Sequence, residues 1–291
     1  MDTFIPYLRS QSDLLTEIKA KTRVGSTARW SDPEYYYALN EVLTSWGDKV
    51  KFPHIYTITN GWQSNDYDYA LPVYVRPPIF PQLYRRIPYT EYAVESTTNT
   101  WQDIPGWELE PDGSGGTVLR LFAPPRTLDG RVLFYSPNSR VPTTIPTTSG
   151  STSDTATTMT IGSAIDVDDV GYVKVNAEWM AYYGVTRNSA TTVLNNLVRA
   201  LYGTTAATHN TLSSATWGVA YDDTRLLNLL WDGWRAYLHA YFLQDGGVHE
   251  TMRHEKALGL YEGKVAAFWP TYHPQRKRGG ISLNRKAYAL R

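Results

Sequence analysis

The chain has 291 residues, which is more than one small domain needs and is compatible with two or three domains. Its 28 Lys and Arg residues balance 28 Asp and Glu residues, so the molecule as a whole has no net field to attract nucleic acid or membranes. The absence of cysteine excludes disulfides, thiolate metal sites and cysteine nucleophiles.

The aromatic residues are mainly tyrosine and tryptophan, with 22 Tyr and 10 Trp against 7 Phe. Such residues suit half-buried subunit contacts, and they equally suit an aromatic-rich β-core. The first residues, MDTFIPYLRS, lack the basic and apolar parts of a signal peptide. No apolar run approaches the roughly 18 residues of a membrane-spanning helix. We therefore expect a soluble protein made in the cytoplasm, without membrane contact.

Residues 1–52 are predicted to form helices. The stretch SQSDLLTEIKAKTR places Leu14, Leu15 and Ile18 near one face. A second helix begins at Ser31, a good N-cap, and Glu34 three residues later completes a capping box. Its apolar stripe comprises Tyr35, Leu39, Val42 and Trp46.

The middle of the chain is predicted to be β-structure. Residues 53–142 contain short alternating runs separated by turn residues, which favours a β-sandwich or small barrel. Residues 143–157 are rich in Thr, Ser and Pro and are predicted to be a linker. Residues 158–218 are predicted to be a second, small β-module.

Residues 219–270 return to helical periodicity, with a wide apolar face on the first helix. The two helical groups can bury their stripes against each other. This predicts an α+β fold in which N- and C-terminal helices form a helical bundle and the β-regions are sandwich-like or barrel-like insertions. Residues 271–291 contain no acid and are predicted to be a basic extended tail. Its candidate partner-binding residues are Arg276, Lys277, Arg278, Arg285, Lys286, Tyr288 and Arg291.

No catalytic pattern is convincing. In HETMRHE the two histidines, His249 and His254, are five residues apart, about 140° around a helix, so they cannot share a zinc ion as the spacing of four does. Glu250 and His254 form an ordinary i, i+4 helix pair. The chain also lacks a nucleophile elbow and a Gly-rich phosphate loop.

Two charged segments have more than one interpretation. The acidic turn at Asp166, Asp168 and Asp169 could bind a hard cation, although such a turn is usually solvated. The basic tail could grip nucleic acid phosphates, dock on an acidic protein surface, or simply be a solubilising tail. We predict no catalytic residue, no cofactor and no metal site, and therefore a protein that is not an enzyme.

Two stretches resemble parts of known phage proteins. The opening LLTEIKAKTR…ARWSDPEYYYALNE is similar to the start of head–tail adaptor (connector) proteins of tailed bacteriophages; the matching residues are Leu15, Ile18, Lys19, Trp30, Ser31, Asp32, Glu34, Asn40 and Glu41. The stretch 170–209 resembles a small β-module recurrent in phage neck, tail and baseplate proteins. The corresponding residues are Gly171, Glu178, Arg199, Gly203, Thr204, Thr205 and His209. The usual module has Arg-Gly where this chain has Arg199-Ala200, and this chain also has extra residues before Gly203.

The resemblance implies a structural virion protein at the neck, assembled in the host cytoplasm. Such adaptors form a homo-oligomeric ring, commonly a dodecamer, that docks beneath the portal, extends the DNA ejection channel and provides the platform for tail attachment. Implied partners are the portal protein, a tail or tail-completion (nozzle or terminator) protein and further copies of the chain. DNA passes through without sequence-specific binding. The tail from about Thr271 is the implied portal-docking element.

Two alternatives stay open. The 170–209 module also occurs in other phage tail and baseplate proteins, so the chain could be one of these. A glycan-binding protein would use the tryptophan-rich β-region instead. From the sequence we interpret Glu178 and Arg199 as structural partners within the β-module.

Overall fold

A computed structural model describes residues 7–22, 30–47, 49–57, 67–71, 89–97, 100–103, 107–111, 117–122, 130–221, 224–241 and 248–270. Within these residues the chain is a mixed α+β structure with four helices and fifteen strands, and every strand pairing is antiparallel. This confirms the predicted α+β class. The helices are α1 (Gln11–Lys21), α2 (Asp32–Trp46), α3 (Thr224–Tyr241) and α4 (Val248–Phe268). None of them is long and apolar enough to cross a bilayer.

The strands of the described residues form four antiparallel sheets. They are β1 (Tyr7–Ser10), β2 (Phe52–Thr57), β3 (Asp68–Leu71), β4 (Tyr89–Thr97), β5 (Thr100–Asp103), β6 (Trp107–Pro111), β7 (Thr117–Leu121), β8 (Gly130–Ser136), β9 (Met159–Ile161), β10 (Val170–Val175), β11 (Glu178–Tyr183), β12 (Val185–Arg187), β13 (Thr192–Leu194), β14 (Val198–Leu201) and β15 (Ala215–Tyr221). The sheet orders are β1-β15-β10-β11-β14, β12-β13-β9, β2-β8-β4-β5 and β3-β7-β6.

Helices α1 and α2 form as the sequence predicts. The N-terminal end of α1 is closed by Ser10, whose hydroxyl accepts a 3.2 Å hydrogen bond from the Asp13 amide. At the start of α2, the Glu34 carboxylate reaches back and accepts a 2.6 Å hydrogen bond from the Ser31 amide. The apolar stripes of both helices are buried: Leu14, Leu15 and Ile18 on α1, and Tyr35, Leu39, Val42 and Trp46 on α2.

The first strand, β1, has no counterpart in the sequence prediction, which assigns residues 1–52 to helices. It pairs with β15, with Tyr7 opposite Tyr221 and Ser10 opposite Gly218. A strand of four residues has no periodicity of its own, and it forms because β15 offers an unpaired edge. The start of the chain therefore belongs to the same sheet as the strands of the β-module.

Residues 137–142 link the helices to the β-module through three carboxamide side chains. The Asn40 side chain both donates to and accepts from the Val141 backbone at 2.8 Å. Asn138 exchanges the same two bonds with Ala220 at 2.9 and 2.7 Å. Gln11 accepts a 2.9 Å bond from the Trp217 amide and donates a 3.4 Å bond to the Pro142 carbonyl. Carboxamides thus satisfy backbone groups that would otherwise be buried without partners.

Helices from the two ends of the chain pack on each other. Trp234 of α3 donates from its indole nitrogen to the Tyr35 carbonyl of α2 at 2.6 Å, and Trp46 of α2 donates to the Tyr261 hydroxyl of α4 at 2.9 Å. Gly233 allows the close contact of α3 with α4, because a Cβ there would lie 2.6 Å from the Tyr261 ring. Residues distant in sequence therefore share one buried aromatic core.

The predicted linker 143–157 lies along the β-module. Thr148 and Thr152 are almost fully buried. Thr147 forms an isolated bridge to Ser214, and Thr152 forms one to His209. The many Thr and Ser residues here make short hydrogen-bonded contacts to the module.

The four-stranded and five-stranded sheets meet at the ring of His54 on β2. This ring is stacked on Phe134 at 5.5 Å and on Tyr172 at 5.2 Å, and Tyr183 contacts it edge-on at 5.6 Å. His54 is 4% exposed, and its Nδ1 has no hydrogen-bond partner. Burial lowers the pKa of His54 from 6.5 to about 3, so the folded protein holds this imidazole neutral.

This buried histidine predicts a loss of stability in mild acid. The unfolded chain takes up a proton on His54 below its ordinary pKa of 6.5, whereas the folded chain resists protonation until about pH 3. The contribution of His54 to the free energy of unfolding is therefore complete above pH 6.5. It falls by about 1.4 kcal/mol for each pH unit below that value. The free energy of unfolding from urea denaturation should fall by about 2 kcal/mol between about pH 7.5 and 5 because of this residue.

The variant His54→Phe keeps an aromatic ring in the stack and removes the titrating group. The difference in unfolding free energy between wild type and variant should change by about 2 kcal/mol over the same pH interval. If the unfolding free energies of the two proteins changed in parallel with pH, His54 would not be the group responsible.

Candidate functional site

The stretch 170–209 brings its charged residues together around one buried carboxylate. Strands β10 and β11 form a hairpin in which Val175 pairs with Glu178 across the two-residue turn Asn176-Ala177. Asn176 has φ 54°, a left-handed conformation that Asn adopts more readily than most residues. This turn places Glu178 at the start of β11 with its side chain 1% exposed.

The Glu178 carboxylate accepts five hydrogen bonds. Arg199 donates to both oxygens, from Nε and Nη2, at 2.7 Å each. The Ala200 and Ala207 amides donate at 3.1 Å. His209 Nε2 lies 2.8 Å from Oε2. A carboxylate offers about four lone-pair sites, so none is left for a substrate or a water molecule.

The partners of Glu178 are themselves held in place. Arg199, whose side chain is 10% exposed, also donates 2.7 Å bonds to the Ser153 and Ala207 carbonyls. The Asn176 amide nitrogen lies 3.3 Å from His209 Nδ1. This pattern fits an imidazole that accepts at Nδ1 and donates from Nε2–H. The network joins the β10–β11 turn, β14 and residues 152–153 into one unit.

The pKa of Glu178 reflects two opposing effects. Desolvation by burial raises it, but the hydrogen bonds from Arg199, the Ala207 and Ala200 amides and His209 outweigh burial and lower the pKa from 4.5 to about 2. A general base needs a free lone pair and a pKa near the working pH. Glu178 has neither. The cluster that looks like an active site in the sequence is a structural ion pair, as the sequence interpretation of Glu178 and Arg199 predicts.

Other residues of the same motif also have packing roles. Gly171 faces the Tyr182 hydroxyl, and a Cβ there would lie 2.5 Å from it. The Thr204 hydroxyl accepts a 3.1 Å bond from the Trp179 amide and donates a 2.7 Å bond to the Leu201 carbonyl. Gly203 has φ 75°. Thr205 is exposed on the surface.

Ala200 has a backbone conformation that favours glycine. Its φ is 58°, in the left-handed region, where an L-residue costs about 1–2 kcal/mol. The Ala200 amide donates to the Glu178 carboxylate, as the preceding Arg199 side chain also does. Tyr202 is also left-handed, with φ 57°. Residues 200–202 therefore form a strained turn.

The residues of the N-terminal resemblance make structural contacts as well. Lys19 of α1 forms an ion pair with Asp32 of α2. Trp30 is 3% exposed and packs edge-on against Tyr35 at 5.9 Å. Asn40 bonds to Val141, as described above. Each of these contacts joins α1 or α2 to a neighbouring element.

The acidic turn that could have bound a cation is neutralised by arginines. Arg140 pairs with Asp166, and its Nε lies 3.4 Å from Asp168. Arg187 Nη1 lies 3.1 Å from Asp169. In the part of the chain that the structure describes, no group of three or more His, Asp or Glu side chains is placed to hold a metal ion.

Two predicted features fall wholly or partly outside the described residues. The HETMRHE stretch lies in α4, a continuous helix, but the side chains of His249, Glu250 and His254 are not among those described. The candidate partner-binding residues of the tail all lie outside the described part of the chain. They are Arg276, Lys277, Arg278, Arg285, Lys286, Tyr288 and Arg291.

Most tryptophans whose side chains are described are buried, and none is fully exposed. Five are buried, namely Trp30, Trp46, Trp217, Trp231 and Trp234, and three are half-buried, namely Trp107, Trp179 and Trp269. Trp62 and Trp101 lie outside this set. A glycan platform needs ring faces open to solvent, and none of these eight side chains is fully exposed.

Comparison with known proteins leaves the function to be inferred from the residues. No family model matches the chain, and no curated protein or solved structure matches it. A fold does not by itself determine function, so the argument depends on the geometry of the site.

The Glu178 network predicts a large loss of stability on neutralisation. In Glu178→Gln, the amide presents a donor to a site built from donors and leaves Arg199 buried without its counter-charge. Breaking a buried ion pair from one side costs about 3–5 kcal/mol. Urea denaturation near neutral pH should show a loss of this size, because the contribution of Glu178 is complete above pH 4.5 and is lost only as the pH falls towards 2.

The matched control is Asp169→Asn, whose pair with Arg187 has side chains 44% and 45% exposed. Removing it should cost less than about 1 kcal/mol, because solvent screens an exposed pair. If Glu178→Gln costs no more than Asp169→Asn, the network does not stabilise the module.

Replacing Ala200 with glycine tests the strained turn. Ala200→Gly removes the left-handed strain, which stabilises the folded state by about 1–2 kcal/mol. It also makes the unfolded chain more flexible, which lowers the free energy of unfolding by about 0.4–1 kcal/mol. The control Ala190→Gly changes an exposed alanine that does not have a positive φ. It therefore makes the unfolded chain more flexible but relieves no strain in the folded state. Ala200→Gly should be more stable than Ala190→Gly by at least about 1 kcal/mol in thermal or urea unfolding. Equal free energies of unfolding for the two variants would show that the Ala200 conformation is not strained.

Proposed function

We propose that this protein is a structural part of a tailed-bacteriophage virion, a head–tail adaptor whose copies form a ring at the neck. In this proposal the ring docks beneath the portal, extends the DNA channel and provides the platform to which a tail or tail-completion protein attaches. Twelve copies would match the portal, and DNA would pass through without sequence-specific contacts.

The proposal rests on one observation, which is that the charged residues of the stretch 170–209 have a structural role. The stretch 170–209 resembles a phage neck and tail module, and its charged residues converge on the buried, fully hydrogen-bonded carboxylate of Glu178. Such a centre holds the turns of a small β-module in place and leaves no lone pair of Glu178 free for chemistry. A rigid module suits a mechanical part.

The packing of the two chain ends supports the same proposal. Helices α2, α3 and α4 contact one another through Trp234, Trp46 and Tyr261. We propose that these helices, with α1, form the helical bundle that surrounds the channel. The regions 53–142 and 158–218 would then be sandwich-like or barrel-like insertions that face outward or towards the tail.

Another tail or baseplate protein remains the second candidate, because the Glu178-centred module would serve equally well there. The position of the protein in the virion distinguishes the two candidates. Electron microscopy of virions with the protein labelled should place it between the portal vertex and the tail, and a label at the distal end of the tail would favour the second candidate.

Portal docking is tested with the full-length chain. We expect a variant with Arg276, Lys277, Arg278, Arg285, Lys286 and Arg291 all changed to Gln to keep its fold and to bind purified portal particles at least about tenfold more weakly, since six proposed charge contacts of about 0.2–1 kcal/mol each are lost. A chain ending at Pro270 should behave in the same way. Mass measurement of the complexes gives both the affinity and the number of copies bound.

The matched control is Lys256→Gln, which removes an exposed cation from α4. It should bind portal like the wild type. Equal binding by the tail variant and the wild type would refute tail docking, and a protein that stays monomeric with and without portal would count against a ring.

A further inference from the structure

Three helices present tyrosines and carboxylates on one surface, which we call the acidic tyrosine patch. It consists of Tyr37 and Glu41 on α2, Tyr237 and Tyr241 on α3, and Glu262 on α4. Each of the first two pairs is spaced i, i+4, so its members lie side by side on one helix face. Glu262 follows Tyr261, whose ring lies 6.0 Å from that of Tyr237.

The rings of the patch are ordered against each other and open to solvent. Tyr241 is stacked on Tyr237 at 5.7 Å with an interplanar angle of 4°, and its other contact is an edge-on one with Tyr37 at 5.9 Å. Tyr37 is 44% exposed and Tyr241 is 53% exposed. Large side chains that are fixed in place but remain exposed are typical of a binding surface.

The electrostatics of the patch favour a cationic ligand. Burial, then the charge of Glu41, raises the pKa of Tyr241. Burial, Tyr241 and Glu41, and more weakly Glu262, raise the pKa of Tyr237. Both carboxylates therefore lie close enough to act on the rings. The negative face of an aromatic ring attracts ammonium and guanidinium groups, and neighbouring carboxylates strengthen that attraction.

This protein has such cation–ring contacts elsewhere, on or beside its helices. Lys21 lies over the Trp231 ring at 5.4 Å, and Lys49 lies over the Trp269 ring at 5.3 Å. In the patch, a basic peptide would find ring faces of this kind with carboxylates beside them.

The segment that follows α4 has the complementary composition. Residues 271–291 contain six Lys and Arg residues and no acid. The described chain ends near the patch, because Trp269 packs against Trp46 at 6.2 Å, and Glu41 is five residues before Trp46 on α2. Five residues of helix are about 7.5 Å long, whereas the six residues from Pro270 to Arg276 can span about 20 Å.

We propose that the basic C-terminal segment of each chain binds the acidic tyrosine patch of the same chain. Attachment in one chain gives the segment a high effective concentration at the patch, which compensates for individually weak contacts. If the function proposed above is correct, the patch holds the docking element before the portal is met, and the portal must displace it. The contact itself does not depend on that function.

Limited digestion of the full-length protein by trypsin tests this contact, because trypsin cleaves after Lys and Arg. The segment should be cleaved slowly in the wild type and about fivefold faster in the double variant Glu41→Gln, Glu262→Gln, which removes two exposed charge contacts. At about 1 M salt, where charges are screened beyond about 3 Å, the two proteins should be cleaved at similar rates. Mass spectrometry follows the loss of each tail fragment.

The control Asp154→Asn removes an exposed carboxylate from the β-module and should leave the cleavage rate unchanged. Equal rates in the wild type and the double variant would overturn the proposal. So would protection that disappears on about tenfold dilution, because the segment would then be bound by a neighbouring copy. The assay contains no portal, so its outcome is separate from that of the portal-binding test.

Discussion

A buried segment without secondary structure must have its backbone polar groups satisfied, and in this protein three carboxamides do so. Asn40, Asn138 and Gln11 bond to main-chain groups around residues 137–142 and along β15. Each carboxamide offers one acceptor and two donors, so it can replace a strand neighbour. Helix α2, helix α1 and the five-stranded sheet are positioned through this one segment.

The Glu178 cluster shows how a structural site can resemble a catalytic one in a sequence. An acid, an arginine and a histidine among aromatic residues are what an enzyme pocket would need. What separates the two cases is the number of hydrogen bonds to the carboxylate. The Glu178 carboxylate accepts hydrogen bonds from five donors, so its lone pairs are all occupied, and these bonds lower its pKa. A buried ion pair of this kind can fix one arrangement of turns even where it adds little net stability.

Local signals in the sequence predict the elements whose formation depends on local interactions. Helix α2 is predicted because Ser31 and Glu34 close its N-terminus and its stripe has helical spacing. The sequence also indicates the Glu178–Arg199 pair, because neither residue has an activating partner in a catalytic pattern. By contrast, β1 was missed, because four residues carry no period and the strand depends on β15 for its partner.

The remaining contacts join residues far apart in the chain, and no local pattern encodes them. His209 reaches Glu178 only because the bridge to Thr152 places it there. Arg140 and Arg187 neutralise the acidic turn from different parts of the module. The sequence therefore leaves both the cation question and the histidine contact open, although it does show the residues involved.

The pairing of β1 with β15 has a consequence for synthesis of the chain. Gln11 and Trp217, which bond to each other beside these strands, are 206 residues apart. The first strand emerges from the ribosome long before its only described partner has been made, and contacts between such distant residues slow folding. Until translation passes residue 221, β15 is incomplete, so the sheet has an open edge at β10 and β1 has no place to bind. Chaperone protection of the nascent N-terminus would therefore matter more for this chain than for one whose strands pair with their nearest neighbours.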